Sequence, residues 1–412
     1  MESPHLQELL YRECEVYMPT ISNNIIKYPG GKINELPIIM QCSPTSYTAY
    51  YEPFVGGGSV FLALSRNVPS YINDKSTDLM YLYSSIKSQD INFYETLKDL
   101  EDAWRKLDGV KNSNIGEQLS DIYILYKHGD VSKTDTMTNV EHYISEHKDD
   151  VTNFLQNDNI GITSEKYIKV LTKCIKSKFV SMKKSEEKTP WNDGDIIINI
   201  VTIFKASYYT CIRDLYNECK DLTKKGYIAA LYLYLRIFCY SSMFRFNSHG
   251  DFNVPYGGIG YNNSSQISNK ISTYTSEFIK IKFNQTEIFN LDYMDFFKIR
   301  DIESDAFMFL DPPYDSEFNT YDNNVFDKEQ QIKLSNYLIH ECPCKFMLII
   351  KKTDFIQELY PQGTMCVNNR QLFVTPFEKT YNVNFMNRND KDVTHLMITN
   401  YNIQKCLEVS LW

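Results

Sequence analysis

The stretch Tyr47-Thr48-Ala49-Tyr50-Tyr51-Glu52-Pro53-Phe54-Val55-Gly56-Gly57-Gly58-Ser59-Val60-Phe61 decides the architecture. Tyr47 to Phe54 is apolar and β-prone, the glycines break it, and Val60, Phe61 and Leu64 resume with helical spacing. The order is strand, glycine turn, helix. Glycines after a buried strand let the backbone approach a nucleotide-like ligand closely, with a helix N-terminus behind it. A second short strand, Ser70–Asn73, ends at Asp74, 18 residues beyond Gly56. A carboxylate there can accept from ribose hydroxyls, and it can equally cap a helix.

Outward from this core, Ala306–Leu310 and Lys345–Ile350 are continuous apolar runs of strand length. Such runs suit strands covered on both faces, as in a parallel sheet. His395–Thr399 reads as one more strand. The middle differs: residues 92–225 are polar, rich in lysine and aspartate, and mostly helical in period. Within it, Asp108–Asn114 and Lys183–Asp195 read as loops. Gly226–Phe244 reads as a strongly apolar helix, and Ser248–Gly258 as a hairpin around Phe252-Asn253-Val254. The expected fold class is therefore α/β, a Rossmann-like sheet interrupted by a mainly helical insertion that carries a β-hairpin.

Composition narrows the class. The chain has 412 residues, 43% hydrophobic and 23% charged, which excludes wholesale disorder. No apolar run approaches the roughly 18 residues of a bilayer-spanning helix, so no membrane partner is expected. Met1-Glu2-Ser3-Pro4-His5 has no basic start and no apolar core, so no secretory signal is expected. Ten cysteines are scattered, with Cys342-Pro343-Cys344 the only close pair, which suits a reducing cytosol and gives no zinc spacing. No metal site is expected. The net charge of −9 argues against a surface that is all nucleic-acid platform, yet permits a local basic groove. Between Lys166 and Lys188 lie eight lysines against Glu186 and Glu187. Lys166, Lys169, Lys173 and Lys176 share one helical face, either a solvated face or a contact for a DNA backbone.

Two further motifs carry chemistry. Asp311-Pro312-Pro313-Tyr314 follows the Ala306–Leu310 strand directly. Prolines cannot donate to a ladder, so two of them fix carbonyls and side chains outside the sheet's carboxyl edge. An acid, a stiff carbonyl and an aromatic together suit a flat ring bearing an amine. Lys27-Tyr28-Pro29-Gly30-Gly31-Lys32 places an aromatic and lysines around a Gly-Gly turn that could close over a cofactor.

These blocks, in order with Arg245-Phe246-Asn247 and Gly250-Asp251-Phe252-Asn253-Val254-Pro255-Tyr256-Gly257 between them, resemble the Dam-type N6-adenine DNA methyltransferases. The resemblance covers about residues 24–95, 205–260 and 305–402, and leaves 96–204 unexplained. It implies a discontinuous methyltransferase domain of residues 1–95 and 262–412. Residues 96–261 become a helical target-recognition insertion, its DNA-contacting hairpin near 245–257. It implies S-adenosylmethionine as cofactor, held by Tyr28, Lys32, Glu52, Phe54, Gly56, Gly58, Asp74, Asp292 and Asp311, with a local turn cap as the other reading of Asp292. Asp311, Pro312, Pro313 and Tyr314 become the catalytic tetrapeptide. Arg245, Phe246, Asn247, His249, Arg388 and Lys391 become DNA contacts, Phe246 as a wedge into the base stack. Ser248-His249 departs from the arginine common in relatives that read GATC, which puts that target in doubt, since Arg–guanine pairing is the commonest specific contact.

The reaction so implied moves a methyl group to N6 of a flipped-out adenine in double-stranded DNA. Asp311 and the Pro312 carbonyl accept the amine's N–H bonds, and no metal takes part. Double-stranded DNA is the expected partner, with a cognate restriction endonuclease and a solitary enzyme both left open. The expected location is the cytoplasm, or a nucleus or viral factory for a eukaryotic or viral source. Two other readings stay open at this stage: an inactive DNA-binding relative, and a methyltransferase acting on RNA or on a protein glutamine.

Overall fold

Short strands with no exposed face set up the centre of the sheet. Tyr50–Glu52 (β1), Ser70–Asn73 (β2) and Phe307–Leu310 (β4) are buried at every position, and Lys345–Lys351 (β5) at its inner ones. The computed structural model describes residues 24–28, 30–64, 67–155, 160–219, 221, 223–243, 245–263, 265–313, 326–380 and 392–403. With Thr286–Phe289 (β3), Phe373–Thr380 (β6) and Asp392–Thr399 (β7), the strands form one sheet in the order β3-β2-β1-β4-β5-β7-β6. β3 through β5 in that order pair in parallel, and β7 runs antiparallel to both β5 and β6. This is the α/β sheet expected of the sequence, and the parallel order brings the carboxyl ends of β2, β1 and β4 to one edge.

The chain divides into two compact units, Met1–Tyr83 with Ser276–Trp412, and Ser84–Thr275. In the first, Tyr51, Met308, Leu310, Phe346, Leu348 and Ile350 share one buried cluster under the sheet. Each such side chain contributes about 1.5–3 kcal/mol by leaving water. β3 and β6 were not anticipated. Both lie at an edge, where one side of the ladder is unpaired and polar residues are tolerated, and Pro376 sits in β6 for the same reason.

The second unit is helical. Its longest element, Asp193–Glu218, opens with a capping box between Asn192 and Asp195. It is apolar enough over 18 residues to pass for a membrane span, which the sequence had not suggested, but 67% of that window is buried inside the protein. The apolar face meets an aromatic cluster in which Trp104 packs 4.3 Å from Phe238 and edge-on to Tyr234 at 5.7 Å. Lys205 is fully buried there. Its ammonium donates to the Asn262 carbonyl at 2.7 Å, pairs with Asp108 at 2.6 Å and lies over the Trp104 ring. Burial lowers its pKa, and Asp108 opposes that shift.

Three local expectations are corrected. Residues Leu107–Asn112 form a 3-10 turn rather than a loop, because Ser113 caps the next helix and draws the chain tight. The Ser164–Glu186 helix runs through Lys183, since buried Met182 and Glu186 extend its inner face. The apolar helix is Lys225–Phe238 and stops before Phe244, which lies outside the described residues. The cause is backbone: Cys239 is extended, and Ser241 and Ser242 take positive φ of 54° and 51°.

Candidate active site

Asp311 leaves the end of β4 beside β1, whose own end carries Glu52. The Lys32 ammonium, 2% exposed, pairs with the Asp311 carboxylate and also donates to the Gly30 carbonyl at 3.0 Å. Pro312 is buried behind Asp311. Glu52 is buried and accepts the Tyr50 hydroxyl at 2.6 Å. Burial pushes its carboxyl well above the usual range; the Tyr50 hydrogen bond opposes this, nearby Asp311 and Asp74 add to it, and Lys32 opposes it.

The glycine turn is organised from both sides. Gly56 and Gly58 take φ of 48° and 74°. The Gly56 N–H donates to Asp74 Oδ2 at 3.0 Å, and its carbonyl accepts the Tyr83 hydroxyl at 3.0 Å. A Cβ on Gly57 would lie 2.6 Å from the Ile26 carbonyl oxygen, so a glycine is required there by the chain's own backbone. Tyr28, half-buried, packs its ring against Gly56. The Lys27–Lys32 block thus closes on the glycine turn, an association that sequence order alone did not show.

Asp74 uses both oxygens on backbone, accepting from Gly56 and from Ser76 at 3.0 Å each. Burial raises its pKa, and these N–H bonds counter the rise. Asp292 caps the turn Tyr293–Phe296 through the Met294 N–H at 3.1 Å and lies 3.6 Å from the Lys75 ammonium. Phe54 packs edge-on to Phe326 and against Tyr293. Two supporting residues went unread. Asn73 bridges the Pro53 and Leu291 carbonyls at 3.0 and 3.1 Å, and Tyr83 stands behind Gly58. A polar residue closing an apolar strand was the available signal for Asn73. Tyr314, Arg388 and Lys391 lie outside the described residues.

In the helical unit, the hairpin is closed by a bridge between Phe246 and Phe252 and by the Asn247 N–H donating to the Asp251 carbonyl at 2.8 Å. Arg245 and His249 are exposed; Arg245 donates to Asn253 Oδ1 at 3.2 Å. Phe246 is half-buried against Phe252. The hairpin is fixed to the Asp193–Glu218 helix by Asn217, whose side chain both accepts from and donates to the Phe252 backbone at 2.8 and 3.0 Å. The Tyr209 hydroxyl holds the Val254 carbonyl at 2.9 Å.

Residues 28–373 match the family model for D12 class N6 adenine-specific DNA methyltransferase. The chain is 33% identical over 191 residues to the type II methyltransferase M.CviBI of Paramecium bursaria Chlorella virus NC1A, covering 45% of this chain and 66% of that protein. It is 22% identical over 382 residues to the type II methyltransferase M1.LlaDCHI of Lactococcus lactis subsp. cremoris, 91% of this chain and 94% of that one. Against the Retron Ec67 DNA adenine methylase of Escherichia coli it is 27% identical over 168 residues, 39% of this chain and 53% of the relative. The chain thus spans just under two thirds of the first relative and about half of the last. An aspartate–diproline at the end of β4, a glycine turn at the end of β1 and a match running from Tyr28 to Phe373 place the chain in the D12 class of N6 adenine-specific DNA methyltransferases.

Proposed function

We propose that the chain transfers a methyl group from S-adenosylmethionine to N6 of an adenine in double-stranded DNA. The observation that carries this is the position of Asp311-Pro312 at the end of β4, beside the glycine turn of β1. The residues around that turn fit such a cofactor. The Asp74 carboxylate suits ribose hydroxyls, the Lys32 ammonium a carboxylate, and the Tyr28 ring an apolar or aromatic face. When bound, the cofactor supplies an electrophilic methyl on sulfur.

The chain's own residues do the rest. An exocyclic adenine amine is a poor nucleophile because its lone pair is shared with the ring. Asp311 and the Pro312 carbonyl accept hydrogen bonds from its two N–H groups, which localises that pair on nitrogen and aims it. As the new N–C bond forms and the S–CH3 bond breaks, the amine gives up one proton to solvent and the sulfur leaves as a neutral thioether. Lys32 pairs with the same Asp311 carboxylate and so orients it at the end of β4. Burial raises the pKa of Glu52 well above the usual carboxylate range, which disfavours a second negative charge beside Asp311. The exposed Arg245 and His249 of the hairpin are the proposed DNA contacts. The target adenine leaves the duplex at a cost of a few kcal/mol.

The test is incubation with methyl-labelled S-adenosylmethionine and unmethylated duplex DNA, then digestion to nucleosides and identification by mass. Labelled N6-methyldeoxyadenosine is expected, and Asp311→Ala is expected to lower the rate by about 10²–10³-fold or more. Label in RNA or in protein alone would overturn the assignment. The type II names of the viral and lactococcal relatives support a cognate endonuclease as partner; protection of methylated DNA from a host-encoded nuclease tests it.

A further inference from the structure

The helix Ser164–Glu186 carries seven lysines after Glu165 and no acid until Glu186. Its inner face buries Tyr167, Leu171, Ile175, Phe179 and Met182. Part of the lysine set is used internally. Lys166 pairs with Glu218 at 3.0 Å, Lys176 with Glu141, and Lys183 donates to the Tyr126 carbonyl at 2.7 Å. Glu186 is itself taken by Lys127 and by the Tyr123 hydroxyl. Lys169, Lys173, Lys178 and Lys184 remain exposed, and no side-chain ion pair or hydrogen bond of theirs occurs among the described residues.

Lys169, Lys173 and Lys184 share one face, from which Lys178 is turned away by well over about 90°. Four residues separate the first pair and eleven the second, three turns of helix, so the ridge runs about 22 Å. A row of unneutralised cations on a chain of net charge −9 needs a reason beyond solubility. The position supplies one. Lys166, at the start of the ridge, holds Glu218, and the adjacent Asn217 holds the hairpin at Phe252. The ridge therefore begins beside the anchor of the proposed DNA-contacting hairpin.

We infer that Lys169, Lys173 and Lys184 form a second contact with duplex DNA, to phosphates outside the methylated site, lengthening the footprint by about six to seven base pairs at roughly 3.4 Å each. The inference rests on the reading that duplex DNA is the substrate. Contacts to phosphate position a protein without reading sequence, so this ridge adds affinity and not target choice.

The experiment measures binding of the full chain to 12- and 30-base-pair duplexes carrying the same site, over a range of salt. For Lys169→Ser, Lys173→Ser and Lys184→Ser combined, affinity for the long duplex is expected to fall about tenfold or more. The slope of log affinity on log salt should become shallower by about 2–3. The short duplex should change by less than twofold, and the triple Lys→Arg variant should keep the wild-type slope. Equal affinity and slope for variant and wild type on the long duplex would overturn the inference and leave the ridge as a solvated or protein-docking face. Methylation by the wild type is scored separately. A length effect without methyl transfer faults the proposed activity alone; methyl transfer without a length effect faults the ridge alone.

Discussion

Glu52 shows how one buried side chain ties the site to pH. Its folded pKa lies well above the unfolded value of about 4.3, so the folded state holds the proton more tightly. Below the unfolded pKa both states are protonated and nothing is lost. As pH rises through it, the unfolded chain ionises first, and stability falls until the folded pKa is reached. Glu52→Gln keeps the shape and the partner for Tyr50 without the proton. Its melting temperature relative to the wild type should therefore climb from about pH 4 upward, a trend that thermal unfolding at several pH values checks. A flat difference would mean that Glu52 is ionised and compensated in the folded protein. The residue was legible as part of a motif, but its protonation was not, because that depends on Tyr50, Asp311 and Asp74 converging from three places in the chain.

At the scale of elements, the glycine turn and the hairpin each rest on contacts that a single change removes. Gly57→Ala drives a Cβ into the Ile26 carbonyl and Tyr28. We expect a loss of about 1–3 kcal/mol and weakened cofactor binding, measured by denaturant unfolding and calorimetric titration. Asn217→Leu strips both hydrogen bonds from the Phe252 backbone and leaves polar groups unpaired. The expected cost is about 1–3 kcal/mol, with faster amide exchange confined to the hairpin. How much was readable follows from burial. β1, β2, β4 and β5 announced themselves because strands covered on both faces spell continuous apolar runs. β3 stayed hidden because only Thr286 of its four residues is buried. The end of the Lys225–Phe238 helix was unreadable for another reason. Neither glycine nor proline marks it, and two serines supply the positive φ instead.

For the molecule as a whole, the described cysteines are all thiols, and six of them, among them Cys211 and Cys366, are buried. Burial pushes Cys211 up to about 12 and Cys366 up to about 11, which leaves little thiolate at neutral pH. Cys174 and Cys219, only partly buried, should react with a disulfide reagent ahead of the six, which wait for unfolding; a time course with and without denaturant checks this. The division into two units has a consequence during synthesis. β1 is central, and Tyr50 pairs with Phe307 of β4. Its partner thus leaves the ribosome about 250 residues later, on the order of 10–50 s at about 5–20 residues per second. Through that interval Ser84–Thr275 is complete and contiguous and can fold, while the strand that ends in Glu52 waits with its apolar faces uncovered. The nascent chain is a ready client for chaperones until its last third emerges.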